Sequence, residues 1–257
     1  MNVLKIIILI SLVTLASATP TFAQTARSGL CTSAVGAVAE ALKLKVGCEA
    51  PPDANIPVNS GGPAGPCQDA PPPPGDIRAA IISKWGITLN ITQEQLPFAW
   101  KEFYQIDCTG FLQDIRGAIV GSWGNGYAQQ FACPGGTGEY GSTSVMFSNQ
   151  WSGEFMEAIL THELTHVWQF CTARGEQNRL EIPAAYSGEG GVSRYSREGC
   201  GYSSGFPSLY NEDHADTIAL YLNPNVGELT CGNGDPNPFS GGRHPLHAGV
   251  AKRGLGR

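Results

Sequence analysis

The chain has 257 residues, of which 42% are hydrophobic and 15% are charged, so it is too apolar to be disordered and long enough for one globular domain with an appendage. Its formal charge of −6, with few and scattered basic residues, argues against a nucleic-acid groove. The 33 glycines and 18 prolines indicate many loops.

The N-terminus has the features of a secretory signal peptide. Lys5 precedes an apolar run at residues 6–16, and small or polar residues lead to a predicted cleavage site after Ala23. The run is shorter than the roughly 20 residues that span a bilayer. We therefore expect residues 1–23 to be removed and the mature chain to be secreted or periplasmic, with no membrane segment. An uncleaved anchor is the alternative.

All eight cysteines follow the predicted cleavage site, and an even number in an exported protein predicts up to four disulfides. They are Cys31, Cys48, Cys67, Cys108, Cys133, Cys171, Cys200 and Cys231. Their spacing contains no CxxC pair, which disfavours a zinc knuckle or a thioredoxin-type redox site. The pairing stays open.

Residues 24–75 differ in composition from the rest of the chain. A predicted helix at 34–44 is followed by a segment, 49–75, that holds nine of the 18 prolines. Such a segment is typical of an extended linker or wrapping loop, and Cys67 suggests that it is stapled down. Whether this region packs on the main domain or is a removable pro-segment stays open. The main domain is predicted at residues 76–257.

Helix caps, alternation and turn residues predict the elements of the first half of this domain. We expect helices at 77–84, from 92–95 to about 104 and at 111–116, a strand at 87–91, a hairpin of strands 118–123 and 127–132, and a further strand at 142–147. The hairpin follows from the Gly-Asn-Gly turn at 124–126. Pro97 is expected to move the start of the second helix downstream.

Two helices stand out in the second half. Residues 153–170 carry apolar side chains at helical spacing, and residues 211–222 form a second helix that stops before Pro224. Between them, 175–210 is rich in Gly, Ser, Tyr and Arg with little periodicity, which predicts a long functional loop. The tail that carries His244 and His247 is again rich in glycine and proline, and His247 is expected to be solvated.

The helix at 153–170 contains an HExxH sequence, HELTH, at 162–166. Positions i and i+4 share a helix face, so His162 and His166 can reach one metal ion while Glu163 points beside it toward a bound water. A catalytic zinc needs three protein ligands and an open position for water. The extended motif that supplies a third His three turns along is excluded, because Gln169 and Thr172 occupy the positions of its Gly and His.

The second helix offers the third ligand in the sequence NEDHAD at 211–216. Glu212 and Asp216 lie on one helix face, so Glu212 can bind the ion while Asp216 accepts the remaining imidazole proton of a ligand histidine. Asp213 and Asp216 are competing third ligands. His214 lies off this face and is expected to be a surface histidine.

HELTH followed by NEDHAD resembles the gluzincin pattern of thermolysin-like metallopeptidases. The resemblance covers these two helices and implies His162, His166 and Glu212 as zinc ligands, Glu163 as general base and Asp216 as the group that orients a ligand histidine. Asp213 or Asp216 as the ligand would instead resemble the aspzincin arrangement. The implied fold is an α+β zincin-like domain, stabilised by disulfides, with a small mixed or antiparallel sheet over the active-site helix.

The expected function is that of a secreted zinc-dependent endopeptidase acting on a protein or peptide substrate through a zinc-bound water activated by Glu163. An oxyanion donor besides the ion is expected from the 175–210 loop or the tail, with Tyr210, Tyr202 and His247 as the first candidates. The loop also offers Tyr186, Arg194, Tyr195 and Arg197. The strand at 142–147 is a candidate edge for substrate pairing. A non-catalytic exported zinc-binding domain, a cell-wall peptide hydrolase and a toxin with one narrow target are the alternatives. The oligomeric state stays open.

Overall fold

A computed structural model of the chain describes residues 69–126, 128–130, 132–198, 209–227 and 236–256. All of them belong to one compact unit. The predicted signal peptide, the helix predicted at 34–44 and the Pro-rich segment up to residue 68 lie outside the described residues. Among the described helices, none is long and apolar enough to cross a membrane.

The described residues form a mixture of helices and short strands. In chain order these are α1 (Ile77–Trp85), β1 (Thr88–Asn90), α2 (Leu96–Ile106), α3 (Phe111–Asp114), β2 (Ile119–Trp123), β3 (Gln129–Gln130), β4 (Val145–Ser148), α4 (Gly153–Cys171), α5 (Ala173–Arg179), α6 (Ile182–Glu189), α7 (Arg194–Glu198), α8 (Leu209–Leu222) and α9 (Pro245–Leu255). Single 3₁₀ turns at Asp107–Thr109 and Ser240–Gly242 complete the set.

The first helices form where their caps predict. Asp76 accepts a hydrogen bond from the Ala79 N–H at 3.0 Å, and Gly86 ends α1 in the left-handed conformation. The second helix begins at Leu96 rather than within 92–95, and Pro97 lies in its first turn. Proline is favoured there because its missing N–H has no partner in a helix start.

The sheet is mixed, with strand order β1-β2-β4-β3. β2 pairs in parallel with β1 and β4, while β3 pairs antiparallel with β4. The hairpin predicted around 124–126 is therefore wrong, because β4 lies between β2 and β3. Val120 and Val145 are fully buried, as is usual for central parallel strands. The strand predicted at 142–147 corresponds to β4, which was proposed as the edge for substrate pairing. β4 instead lies between β2 and β3, so β3 forms this edge of the sheet.

The long helix α4 is the centre of the described fold. It contacts α2, α5 and α8, and it touches the sheet through β3 and β4. Most of its apolar positions are buried, with Leu160, Leu164 and Trp168 fully enclosed, while Phe155 and Phe170 near its two ends are exposed. Burial of side chains this large contributes about 1.5–3 kcal/mol each, so the position of α4 is well determined by packing.

The segment predicted as a loop at 175–210 is helical over much of its described part. Only Thr172 separates α4 from α5, and its hydroxyl oxygen accepts the Gly175 N–H at 3.1 Å. A Cβ at Gly175 would lie 2.2 Å from the carbonyl oxygen of Trp168, so glycine lets α5 fold back closely against α4. The helices α6 and α7 follow.

The predicted tail also contains a helix, α9, which contacts α5, α6 and α8. Val250 of α9 packs with Ile182 and Ala185 of α6 in a small apolar cluster. Together these contacts cover α8, whose residues from Glu212 to Leu222 are all buried. The glycine- and proline-rich composition of the tail therefore did not predict this helix.

One disulfide joins Cys133 to Cys171 and so ties the segment before β4 to the end of α4. Cys108 is also disulfide-bonded. The sequence left these pairings open.

Candidate metal centre

Two histidines of α4 face the same point. His162 and His166 are one helical turn apart, and their Nε2 atoms lie 3.1 Å from each other. Both side chains are largely buried, at 3% and 7% exposed. Two buried imidazolium ions would repel each other strongly at this distance. The geometry instead favours two neutral imidazoles whose Nε2 atoms bind one partner, such as a metal ion.

Glu212 of α8 supplies a carboxylate oxygen at the same point. Its Oε2 atom lies 3.3 Å from Nε2 of His162 and 3.2 Å from Nε2 of His166. The packing of α8 on α4 therefore brings together the three residues that the sequence proposed as ligands. Burial alone would raise the pKa of Glu212, but its interactions with the two imidazoles outweigh burial and hold this pKa well below its usual range.

The three atoms are spaced as the ligands of a tetrahedrally coordinated metal ion are. Zinc bonds to imidazole nitrogen and carboxylate oxygen of about 2.0–2.2 Å place neighbouring ligands of a tetrahedron about 3.3 Å apart. The observed separations of 3.1, 3.2 and 3.3 Å match this value on all three edges. The donor set of two imidazoles and one carboxylate fits zinc.

Asp216 contacts the other side of the His162 ring. Its Oδ1 lies 2.8 Å from Nδ1 of His162, and its Oδ2 accepts a hydrogen bond from the Ser193 hydroxyl. Burial alone would lower the pKa of His162, but the hydrogen bond and charge of Asp216, helped by Glu212, raise it well above its ordinary value. In this arrangement Asp216 orients the ring and is not a third ligand.

Asp213, the other candidate ligand, has different partners. Its Oδ1 accepts the Val192 N–H at 2.6 Å, and its Oδ2 lies 2.7 Å from Nε2 of His247. Both carboxylate oxygens are thus engaged away from the histidine pair. The aspzincin-like alternative finds no support in this geometry.

Glu163 follows the first histidine and is 7% exposed. Its Oε2 atom is buried and has no hydrogen-bond partner among the described residues. Burial raises the pKa of Glu163, and the nearby charges of His162 and His166 oppose that rise. A buried, unsatisfied carboxylate oxygen is costly, and functional sites are where such groups are found.

The predicted oxyanion donors lie in different surroundings. Tyr210 is 40% exposed and packs edge-on against Tyr186, while Tyr202 lies outside the described residues. The ring of Tyr195 is half-buried, with its centroid 6.3 Å from that of His162. Tyr195 therefore stands beside the histidine pair.

His247 is not the solvated tail residue that the sequence suggested. It is fully buried, with Nδ1 2.7 Å from Oε2 of Glu189 and Nε2 2.7 Å from Oδ2 of Asp213. Burial opposes its charge, but hydrogen bonds to the two carboxylates outweigh this and raise its pKa. With both ring nitrogens engaged in this way, His247 is not available as an oxyanion donor, and that hypothesis is corrected.

A second group of possible ligands, Glu189, His244 and His247, is more loosely spaced. Nδ1 of His244 lies 3.8 Å from Oε2 of Glu189, beyond the edge of a zinc tetrahedron. Glu189 also accepts the backbone N–H groups of Leu246 and His247 at the start of α9. The group is better explained as an anchor for that helix.

Sequence reasoning missed three buried residues that line up behind His166. Gln169 contacts Nδ1 of His166, His214 contacts Gln169, and Asn178 contacts His214. His214 is fully buried rather than on the surface, and burial lowers its pKa to about 3. The one available signal was that Gln169 follows His166 by three positions on the same helix face.

Comparisons with protein-family models, curated proteins and solved structures find no match for this chain. The chemistry of the site must therefore be argued from its own residues.

Proposed function

We propose that this chain is an exported zinc-dependent endopeptidase of gluzincin type. The observation that carries the proposal is the triangle of Nε2 of His162, Nε2 of His166 and Oε2 of Glu212. Glu163, next to His162 in the chain, has a buried Oε2 without a hydrogen-bond partner among the described residues. Export is inferred from the signal-like N-terminus and the even cysteine count.

The number of ligands favours catalysis over a structural role. Structural zinc sites are closed by four protein ligands, whereas catalytic sites use three and keep one position open. Among the described residues, this cluster offers three. Zinc bound there would lower the pKa of a water to about 7 and polarise a substrate carbonyl.

Glu163 carries the proton transfers. Its carboxylate would accept a proton from the attacking water and pass it to the nitrogen of the leaving amine, as a general base and then a general acid. A pKa raised by burial suits both roles, because a carboxylate whose charged form is disfavoured accepts the proton of the water more readily. Asp216 holds the His162 ring in place throughout.

Tyr195 is the donor that we propose for the oxyanion. Its ring stands next to His162, and a phenolic O–H is a suitable donor to a negative oxygen that develops near the ion. Tyr195→Phe should lower kcat by about 10²- to 10³-fold with little change in zinc affinity. If Tyr195→Phe has the same kcat as the native protein, Tyr195 is not the donor, and Tyr210 and Tyr202 become the candidates.

The test of the proposed function is the Glu163→Gln variant of the purified mature protein. We expect it to bind one zinc and to hydrolyse a library of quenched fluorescent peptides about 10³-fold more slowly than the native protein, because it lacks the general base. Glu154→Gln, an exposed substitution on the same helix, is the matched control. Full activity of Glu163→Gln would overturn the proposal, and zinc binding without hydrolysis by the native protein would leave a non-catalytic zinc domain.

A further inference from the structure

A line of buried polar groups runs from the metal centre to the last helix. Nδ1 of His166 lies 2.7 Å from Nε2 of Gln169, and Oε1 of Gln169 lies 2.7 Å from Nδ1 of His214. Nε2 of His214 lies 2.8 Å from Oδ1 of Asn178, whose Nδ2 donates to the backbone carbonyl of Val250 at 2.9 Å. Gln169, His214 and Asn178, which we call the relay, are at most 3% exposed.

The contact with Val250 determines which atom donates and which accepts in each hydrogen bond of the relay. The Val250 carbonyl can only accept, so the amide nitrogen of Asn178 must face it and the amide oxygen must face His214. His214 is fully buried and both of its ring nitrogens contact uncharged carboxamides, so its imidazole is neutral and its one proton lies on Nε2, which faces the oxygen of Asn178. Its Nδ1 is then an acceptor.

The remaining two contacts follow from the first. An acceptor at Nδ1 of His214 requires an N–H from Gln169, so the amide oxygen of Gln169 faces His166. The two ends of a carboxamide have nearly the same shape, and a half-turn of the Gln169 amide keeps both 2.7 Å contacts. Nδ1 of His166 then bears the proton and donates it.

This tautomer is the one that a metal ligand needs. A proton on Nδ1 of His166 leaves a lone pair on Nε2, the atom that faces His162 and Glu212. The opposite polarity would put a proton on Nε2 and block it. Orientation of a ligand imidazole through its second nitrogen is worth about 10- to 100-fold in metal affinity.

We propose that Gln169, His214 and Asn178 are positioning residues that fix His166 in its Nδ1–H tautomer, with the carbonyl of Val250 in α9 as the anchor. The proposal deepens the proposed function and rests on it for the identity of the metal. It also assigns a role to α9: this helix supplies the Val250 carbonyl that orients Asn178, the relay residue farthest from His166. His162 has Asp216 as its orienting partner, and His166 has the relay.

Gly254 shows how closely α9 fits the relay. A Cβ on Gly254 would lie 2.2 Å from Oδ1 and 2.4 Å from Cγ of Asn178, so an alanine there must displace the asparagine. Gly249 lies on the same helix, and a Cβ on it would meet the flexible end of Arg253 at 3.2 Å. The two glycines make a matched pair in which one substitution disturbs the relay and the other does not.

The first experiment measures the tautomer of His214 in the mature protein, with and without bound zinc. Long-range ¹H–¹⁵N correlation spectra of the imidazole rings distinguish Nδ1–H from Nε2–H. We expect Nε2–H for His214 in both samples, and loss of this single tautomer in Gln169→Leu. Nδ1–H for His214 in the native protein would overturn the proposal, whether or not the protein binds zinc, because the amide oxygen of Gln169 would then face His214 and not His166.

The second experiment measures zinc affinity by competition with a chromophoric chelator at fixed pH. Gln169→Leu and Gly254→Ala should bind zinc about 10- to 100-fold more weakly than the native protein. Gly249→Ala and Gln95→Leu, which removes a buried glutamine that bonds to Ser148 and Trp151, should retain native affinity. If Gln169→Leu does not fold, the zinc affinity of Gly254→Ala alone decides the test.

The outcomes separate this proposal from the proposed function. Strong zinc binding that is unchanged in Gln169→Leu and Gly254→Ala would overturn the relay and leave the peptidase standing. A native protein without zinc affinity would overturn the proposed function, while the tautomer of His214 would still decide whether the amide oxygen of Gln169 faces His166.

Discussion

Asp216 and Glu212 lie one turn apart on α8, and they approach opposite nitrogens of the same imidazole: Asp216 is 2.8 Å from Nδ1 of His162 and Glu212 is 3.3 Å from Nε2. One helix thus supplies both a proposed ligand and the group that orients another ligand. The two carboxylates hold the His162 ring between them.

Asp216→Asn should weaken zinc binding by about 10- to 100-fold. Asparagine keeps the shape and can accept from Nδ1 of His162, but it removes the charge that supports the imidazole. Chelator competition measures the change, with Asp107→Asn, a residue that bonds to Trp85 and Lys84, as the control. Native zinc affinity in Asp216→Asn would contradict the orienting role.

Zinc affinity should rise with pH to above the ordinary histidine range. A ligand nitrogen must be free of its proton, and the pKa of His162 in the metal-free protein is raised well above 6.5 by Asp216 and Glu212. We therefore expect the apparent affinity to fall as pH decreases through that raised pKa, by up to about tenfold per pH unit. A flat profile above pH 6.5 would contradict this.

Glu102 is expected to make stability depend on pH. It is fully buried, burial raises its pKa to about 7, and its Oε2 has no partner among the described groups. Because the folded pKa exceeds the unfolded one, its contribution is fully present below pH 4.5 and is lost as pH rises through about 7. The expected loss is about 3 kcal/mol.

Glu102→Gln tests this directly. The variant should have a free energy of unfolding within about 1 kcal/mol of the native protein at pH 4.5 and about 1–3 kcal/mol higher at pH 8, because an amide avoids the buried charge. Denaturant unfolding with chelator present measures both values. Equal stability of the two proteins at pH 8 would show that Glu102 is not strained by burial.

His247 should stabilise the fold most strongly at low pH. Its raised pKa means that the charged ring between Asp213 and Glu189 contributes fully below about pH 6.5 and is lost as pH rises through its folded pKa. His247→Gln should cost about 3 kcal/mol at pH 6, since it leaves two buried carboxylates without their cation.

The measurement for His247→Gln is denaturant unfolding at pH 6 and pH 9 with chelator present. The difference between variant and native protein should shrink at the higher pH. A difference that does not change with pH would show that the ring is neutral in the folded protein.

The local features of the sequence predicted those parts of the structure that depend on local interactions. HELTH on an amphipathic helix predicted that His162 and His166 face one point, and their Nε2 atoms are 3.1 Å apart. The i, i+4 relation of Glu212 and Asp216 predicted a shared face. These inferences need only helix geometry, which holds wherever the helix forms.

Non-local packing explains what the sequence did not predict. Gly-Asn-Gly at 124–126 is a good hairpin turn, but β4 pairs with β2 in its place. His214 was expected at the surface because a helix normally has a solvated face, yet α5, α6, α7 and α9 all contact α8. The relay could not be found for the same reason, since Asn178 and Val250 come from helices that composition suggested were loops.

The most direct test of the central claim is the zinc content of the purified, disulfide-intact mature protein beside Glu212→Ala and Asp213→Asn. We predict one zinc per native chain, a loss of at least about 100-fold in zinc affinity in Glu212→Ala, and affinity close to native in Asp213→Asn. The reason is that Glu212 contacts Nε2 of both histidines, whereas Asp213 contacts Val192 and His247. The opposite order of the two variants would contradict the three-ligand centre, and so would a native protein that takes up no zinc when the metal is supplied.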